Sequence, residues 1–141
     1  MVDFNTWAKQ KFTDKSVRPG KLKFGGAYLF AYKPRSRENM TDIDLMPVFI
    51  ITSYYANTIW GINIIKIPNK ELRMKILRQY VKALESKSET ELAKSLYDIR
   101  RAAQIRKDTA SAYMPYKWNN IKSRIIPLEI EDLEQLIKRV L

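Results

Sequence analysis

Lysine and arginine are the residues of this chain whose number and spacing point most directly to a chemical role. The sequence has 26 of them against 15 aspartates and glutamates in 141 residues, which gives a net charge of +11. An excess of this size on a small domain indicates a polyanionic partner, and nucleic acid is the commonest one. Two alternatives stay open: the charge keeps the protein soluble, or it faces an acidic protein.

The basic residues form two zones along the sequence. Residues 1–40 contain nine of them and three acidic residues, and most lie in segments predicted to be loops. The second zone, residues 73–107, has a helical pattern. Loops and helix faces of this kind can follow a phosphate backbone without reading bases. The predicted nucleic-acid-binding residues are Lys15, Arg18, Lys21, Lys23, Lys33, Arg35 and Arg37 in the first zone and Lys75, Arg78, Lys82, Arg100 and Arg101 in the second.

Aromatic residues are a second group that could recognise a partner. Tyr28, Phe30 and Tyr32 alternate along one predicted strand, so their side chains share one face. That face would either stack on unpaired bases or form one wall of the core, and the core is the expected role. Five other aromatic residues lie near predicted loop edges and are predicted to contact proteins: Tyr54, Tyr55, Tyr113, Tyr116 and Trp118.

Residues that commonly carry catalysis are missing. The sequence contains no histidine and no cysteine, so it lacks the usual general base near neutral pH, thiolate chemistry and zinc-finger ligands. It also lacks a glycine-rich phosphate loop followed by lysine and serine or threonine. Asp42 and Asp44 have a spacing found in metal sites, but two carboxylates alone do not complete a divalent site. We therefore predict a non-enzyme without a cofactor; a metal-dependent nuclease using these two residues is the weaker alternative.

The elements expected to position these residues form a single α+β domain. Short connections between successive strands favour an antiparallel sheet, which is expected to be small, strongly twisted and barrel-like. Near Thr109 the helical pattern of apolar residues ends. The expected parts of the domain, which spans 1–141, are an N-terminal helix and basic loop (1–26), a β-meander (27–67), a helical pair (69–107), and a last strand and helix (122–141).

The first helix of the pair combines an apolar arc with a basic one. Lys75, Arg78 and Lys82 fall on the arc opposite the apolar residues. These cations also suit an ordinary solvent-facing surface, on which Glu71 would pair with Lys75. Arg73 lies within the apolar arc, so its guanidinium is expected to reach solvent along the first turn.

The sequence predicts no membrane contact. It has no uninterrupted apolar run of about 18 residues, the length that a spanning helix needs. The N-terminus lacks a basic start followed by an apolar stretch, so it does not resemble a signal peptide. We expect the protein to act in a cytoplasm or in an assembly made there.

Short motifs distributed over about two-thirds of the chain suggest a family. They are Tyr28-x-Phe30-x-Tyr32-x-Pro34, Asp44-x-x-Pro47-Val48, Gly61-Ile62-Asn63, Ile67-Pro68 before a helix opening with Arg73, and Lys122-Ser123-Arg124. In these motifs the chain resembles a group of small virion proteins of contractile-tailed (T-even-like) bacteriophages that includes DNA end protector proteins.

The resemblance implies a role at the end of the packaged genome, near the head–tail connection, where the protein would shield the DNA terminus from host exonucleases. The implied partners are DNA, bound independently of sequence, and other virion proteins. A homo-oligomer is also compatible with this role. The implied location is the virion, assembled in the host cytoplasm. The alternative is a purely structural component of a neck, tail or baseplate, whose basic face meets acidic proteins rather than DNA.

Overall fold

The structure, a computed structural model, describes residues 3–14, 22–32, 47–105, 112–121 and 125–140. It confirms the predicted α+β fold. The helices are α1 (Phe4–Thr13), α2 (Lys70–Glu85), α3 (Glu89–Ile105) and α4 (Ile130–Gln135), and a π-helical turn (Leu136–Val140) extends the last of them. The strands are β1 (Ala27–Leu29), β2 (Val48–Tyr55), β3 (Thr58–Asn63), β4 (Tyr113–Lys117) and β5 (Ile126–Pro127).

The five strands form one antiparallel sheet in the order β4-β3-β2-β1-β5. The sheet is open rather than barrel-like. β5 is only two residues long and pairs with β1, and no strand of the described residues joins it to β4. An isolated antiparallel bridge between Tyr32 and Ile121 links the chain beyond β1 with the chain beyond β4. The sheet therefore curves without closing.

Both faces of the sheet are covered, as the continuous apolar run of β2 predicts. Val48 and Ile50 face the helices, in the larger core cluster. Phe49 and Ile51 face the opposite side. On that side lies an aromatic cluster, by which we mean Tyr28, Phe30, Tyr32, Phe49, Ile51, Ile59 and Tyr116.

The rings of the aromatic cluster meet edge to face. The centroid of Tyr116 lies 5.4 Å from that of Phe30, 4.7 Å from Tyr32 and 4.9 Å from Phe49, at interplanar angles of 78° to 90°. Such pairs are favoured by the quadrupoles of the rings. Tyr28, Phe30 and Tyr32 are all buried, which confirms their expected role in the core. They offer no platform for bases.

β4 is not predicted by the sequence, because Pro115 stands in its middle. Proline is tolerated at the edge of a sheet, where its missing N–H costs no ladder bond. The N–H of Lys117, two residues on, points away from β3 and donates to Tyr32 Oη at 3.0 Å. Conversely, Ile64–Lys66 is expected within the β-meander and forms a 3-10 turn.

Side chains cap the starts of α2 and α3. The N–H of Leu72 donates to Asn69 Oδ1 at 3.1 Å, and the N–H of Glu91 donates to Ser88 Oγ at 3.2 Å. Arg73 is half-buried and its Nε donates to the carbonyl oxygen of Ile67 at 3.1 Å. Burial lowers the pKa of its guanidinium from the ordinary value. Arg73 therefore holds the chain that enters α2.

Gly61 provides a test of the β2–β3 pairing. A Cβ at this position would lie 2.0 Å from the carbonyl oxygen of Ile50, which belongs to the neighbouring strand and cannot move alone. We expect Gly61→Ala to lower the free energy of unfolding by about 3 kcal/mol or more, as overpacking does. Urea denaturation measures this loss. Thr58→Ala on the same strand is the control, and an equal effect of both substitutions would contradict the close approach.

Candidate nucleic-acid interface

α2 and α3 form an antiparallel hairpin joined by only three residues, 86–88. The inner face of α2 is buried in the larger core cluster through Ile76, Leu77 and Tyr80. Its opposite face carries Lys75, Arg78 and Lys82, and all three are exposed. The 3.6-residue period of the helix produces this division, as the sequence predicts.

α3 repeats this division less regularly. Leu96 and Ile99 are buried. Arg100 and Arg101 are exposed, as predicted. We use the name helical cationic surface for these two residues and the three exposed cations of α2, taken together as the predicted cations of the hairpin: Lys75, Arg78, Lys82, Arg100 and Arg101. Because the helices are antiparallel, the second half of α3 lies beside the first half of α2.

The helical cationic surface is free of ion pairs with other described residues. In the described part of the chain one salt bridge is present, between Lys11 of α1 and Asp132 of α4. The pair between Glu71 and Lys75 that the alternative interpretation allows is therefore not formed. The positive charges of this surface are directed to solvent, where they can meet a polyanion.

A groove of about 530 Å³ runs beside this surface, between α2 and the end of α4. Val81 and Ile137 form its apolar floor. Its charged lining is Arg78, Lys82 and Lys138 against Glu85 and Glu134. Lys138 is not among the predicted binding residues, because its position in the last turn of a helix is already explained by the helix dipole.

Of the predicted loop cations, Lys23 alone belongs to the described residues, and it is exposed. It opens a turn in which the N–H of Gly26 donates to the carbonyl oxygen of Lys23 at 3.0 Å. Gly25 has φ +82°, a left-handed conformation that favours glycine. Phe24 stands at the corner of the turn, 64% exposed. The remaining predicted cations of this zone, Lys15, Arg18, Lys21, Lys33, Arg35 and Arg37, lie outside the described residues.

Two tyrosine hydroxyls hold this turn. Tyr80 Oη of α2 donates to the carbonyl oxygen of Gly25 at 2.6 Å. The N–H of Lys23 donates to Tyr28 Oη at 2.7 Å. Burial raises the pKa of both tyrosines above the ordinary value, and that of Tyr80 strongly. The turn that presents Lys23 and Phe24 is thus bound to the core.

The predicted protein-contact aromatics divide into three groups. Tyr54, Tyr55 and Trp118 are exposed. They surround the β2–β3 turn, where the N–H of Trp118 donates to the carbonyl oxygen of Asn57 at 2.8 Å. Tyr113 is half-buried and stacks on Trp60, with ring centroids 5.7 Å apart.

The prediction that Tyr116 contacts a partner protein is wrong. It is 0% exposed, because the alternation of β4 directs its side chain into the aromatic cluster. It is a core residue and offers no surface to a partner. The error has the same origin as the missed strand: without β4, the pattern places Tyr116 at a loop edge.

An exposed aromatic that the sequence did not single out lies on α3. Tyr97 is 62% exposed. Its helical neighbours at i−3, i+3 and i+4 are Lys94, Arg100 and Arg101, all exposed. The apolar stripe of α3 is visible in the sequence, and an aromatic residue off that stripe is the signal that identifies it.

The described residues were also compared with the requirements of a metal site and of a membrane span. They contain no group of three or more acidic, histidine or cysteine side chains that could hold a metal ion. Asp42 and Asp44 lie outside them. None of the described helices has both the length and the apolar composition of a membrane span.

Comparison with known proteins found no relative of this chain. No protein-family model, curated protein or solved structure matches this chain. The resemblance to phage virion proteins therefore stays a prediction from the sequence motifs.

Tyr80 makes the turn sensitive to alkali. Its pKa is raised above its ordinary value of about 10 because burial disfavours the phenolate, so the folded protein keeps a proton that the unfolded chain loses. The resulting stabilisation is complete below about pH 10 and falls as the pH rises further. We expect Tyr80→Phe to cost about 1–2 kcal/mol near neutral pH, through the lost bond to Gly25, and to flatten the alkaline decline.

Urea unfolding measured between about pH 8 and about pH 11 checks this expectation. The exposed Tyr97→Phe is the matched control and should follow the wild type. The pKa of Tyr28 is also raised by burial, so part of the decline should persist in Tyr80→Phe. Identical pH profiles for wild type and Tyr80→Phe would contradict the assignment.

Proposed function

We propose that this protein binds DNA through phosphate contacts, independently of sequence and without catalysis. The observation that carries the proposal is the helical cationic surface, whose five cations are exposed and form no ion pair with any described residue. Exposed cations on fixed helices attract a phosphate backbone and release its counterions. The surface contains no recognised base-reading motif, so no sequence preference is expected.

The distribution of acidic residues supports this use of the hairpin. On α2 the carboxylates Glu71 and Glu85 stand at the two ends of the helix. On α3 the carboxylates Glu89 and Glu91 lie in the first turn, where they suit the helix dipole, and Asp98 lies beyond the middle. The middle of α2 therefore has no carboxylate, and beyond Glu91 the exposed cations of α3 (Lys94, Arg100 and Arg101) outnumber its one carboxylate.

The proposed setting is a bacteriophage virion, where the protein would cap or protect the end of the packaged genome near the head–tail connection. The sequence motifs that resemble DNA end protector proteins support this setting. A basic protein without histidine or cysteine fits a binding role that requires no bond to be broken.

Removal of charge from α2 tests the proposal. We expect Lys75→Gln combined with Lys82→Gln to weaken binding to a DNA duplex. The slope of log affinity against log salt should fall by about 0.9 for each phosphate that is no longer neutralised. Gel-shift titrations between about 50 and 200 mM salt measure both quantities.

Lys9→Gln combined with Lys117→Gln is the matched control, because both lysines are exposed and lie on α1 and β4. This pair removes the same charge and should leave the salt slope near that of the wild type. Wild-type binding that is absent at about 50 mM salt, or constant with salt, would refute the proposal.

A structural role in a neck, tail or baseplate is the second candidate. It is favoured by Tyr54, Tyr55 and Trp118, which expose large aromatic side chains around one end of the sheet. Tyr55 is 80% exposed. Tyr and Trp in such positions are typical of protein interfaces.

For this candidate we expect copies of the protein to associate through the β2–β3 turn, as an apolar contact that high salt does not weaken. Tyr55→Ser combined with Trp118→Ser should abolish the association, whereas Lys75→Gln with Lys82→Gln should not. Sedimentation velocity over a range of protein concentrations measures it. A monomer at every concentration and salt would contradict self-association at this site.

A further inference from the structure

We propose that the DNA held by the helical cationic surface is single-stranded and that Tyr97 stacks on one of its bases. This inference rests on the proposed DNA binding and adds the form of DNA that is preferred. Phosphate attraction alone needs only cations, whereas an aromatic ring among those cations adds affinity for an unpaired base.

The surroundings of Tyr97 carry the inference. Tyr97 is 62% exposed, and its side chain forms no hydrogen bond or ring contact with any described residue. Lys94, Arg100 and Arg101 are exposed and stand one helical turn before and after it. A base stacked on Tyr97 would therefore have cations on both sides for its flanking phosphates.

A second exposed ring belongs to the turn that packs against the same helix. Gly25 packs on α3, where a Cβ added to it would lie 3.1 Å from Leu96 Cδ1 and 3.5 Å from Leu92 Cδ2. Phe24, 64% exposed, lines a groove together with Leu84 of α2 and Leu92 of the apolar face of α3, and the exposed Lys23 stands beside it. Because Tyr80 and Tyr28 fix the turn, Phe24 is presented on a rigid support.

The charge around Tyr97 favours DNA over a protein partner. Three cations flank the ring, and Asp98 is the acidic residue next to it in the chain. Asp98 lines the groove between α2 and α3 together with Glu91 and Lys94, so these three charges lie on the side of α3 towards α2, whereas Arg100 and Arg101 do not line that groove. Tyrosine and arginine are enriched at protein interfaces as well, so the feature that favours DNA is the clustering of three cations around one ring, which matches the basic groove and aromatic rings of single-strand platforms.

The test compares a labelled oligothymidylate with a blunt duplex of the same length, using the full-length protein. We expect Tyr97→Ala to weaken binding of the oligothymidylate about tenfold, the effect of losing one base–aromatic stack, with little change for the duplex. The salt slope should stay as in the wild type, because no charge is removed. Tyr97→Phe should retain the affinity, since it keeps the ring.

Tyr55→Ala is the matched control, because it removes an exposed tyrosine that lies on the sheet rather than on α3. Circular dichroism verifies that each variant is folded. Wild-type binding with the same affinity for Tyr97→Ala, or with an equal loss for both DNA forms, overturns this inference and leaves the proposed function intact. Absence of any salt-dependent binding by the wild type to either DNA overturns the proposed function as well.

Discussion

Burial of both faces of β2 is the constraint on which the rest of the structure depends. Val48 to Ile51 are at most 1% exposed, so the strand needs a cover on each side. Helices cover one side, and the aromatic cluster fills the other. Removal of this much apolar surface from water is the dominant stabilising contribution in a domain of this size. It also determines the orientation of α2 and α3, because their apolar faces must meet the sheet.

The charge distribution follows from this orientation. Once Ile76, Leu77 and Tyr80 pack inwards, the helical period directs Lys75, Arg78 and Lys82 to solvent. A cation turned inwards would have to lose its hydration, which is costly without a partner. Arg73 shows the compromise that is possible at a helix start: it is half-buried, and it donates to a backbone carbonyl. The basic surface is thus a consequence of the core as much as of composition.

Aromatic residues serve two separate purposes in this fold. Three buried tyrosines bond their hydroxyls to the backbone of loops and strand ends: Tyr80 to Gly25, Tyr28 to Lys23 and Tyr32 to Lys117. A buried hydroxyl needs such a partner, and these partners are chain segments at the edges of the sheet. The exposed rings, by contrast, lie on α3, on the Lys23–Gly26 turn and around the β2–β3 turn, where partners can reach them.

The sequence by itself determined the local features. The caps at Asn69 and Ser88, the doubly buried β2 and the amphipathic α2 depend on neighbours within a few residues, so their patterns are readable. The tertiary structure alone decided the rest. β4 exists because β3 offers it a pairing edge, which buries Tyr116 despite Pro115. Tyr97 is exposed among cations, although the sequence pattern does not single it out. Exposure depends on what packs above each residue, and contacts between distant segments are not encoded in local spacing.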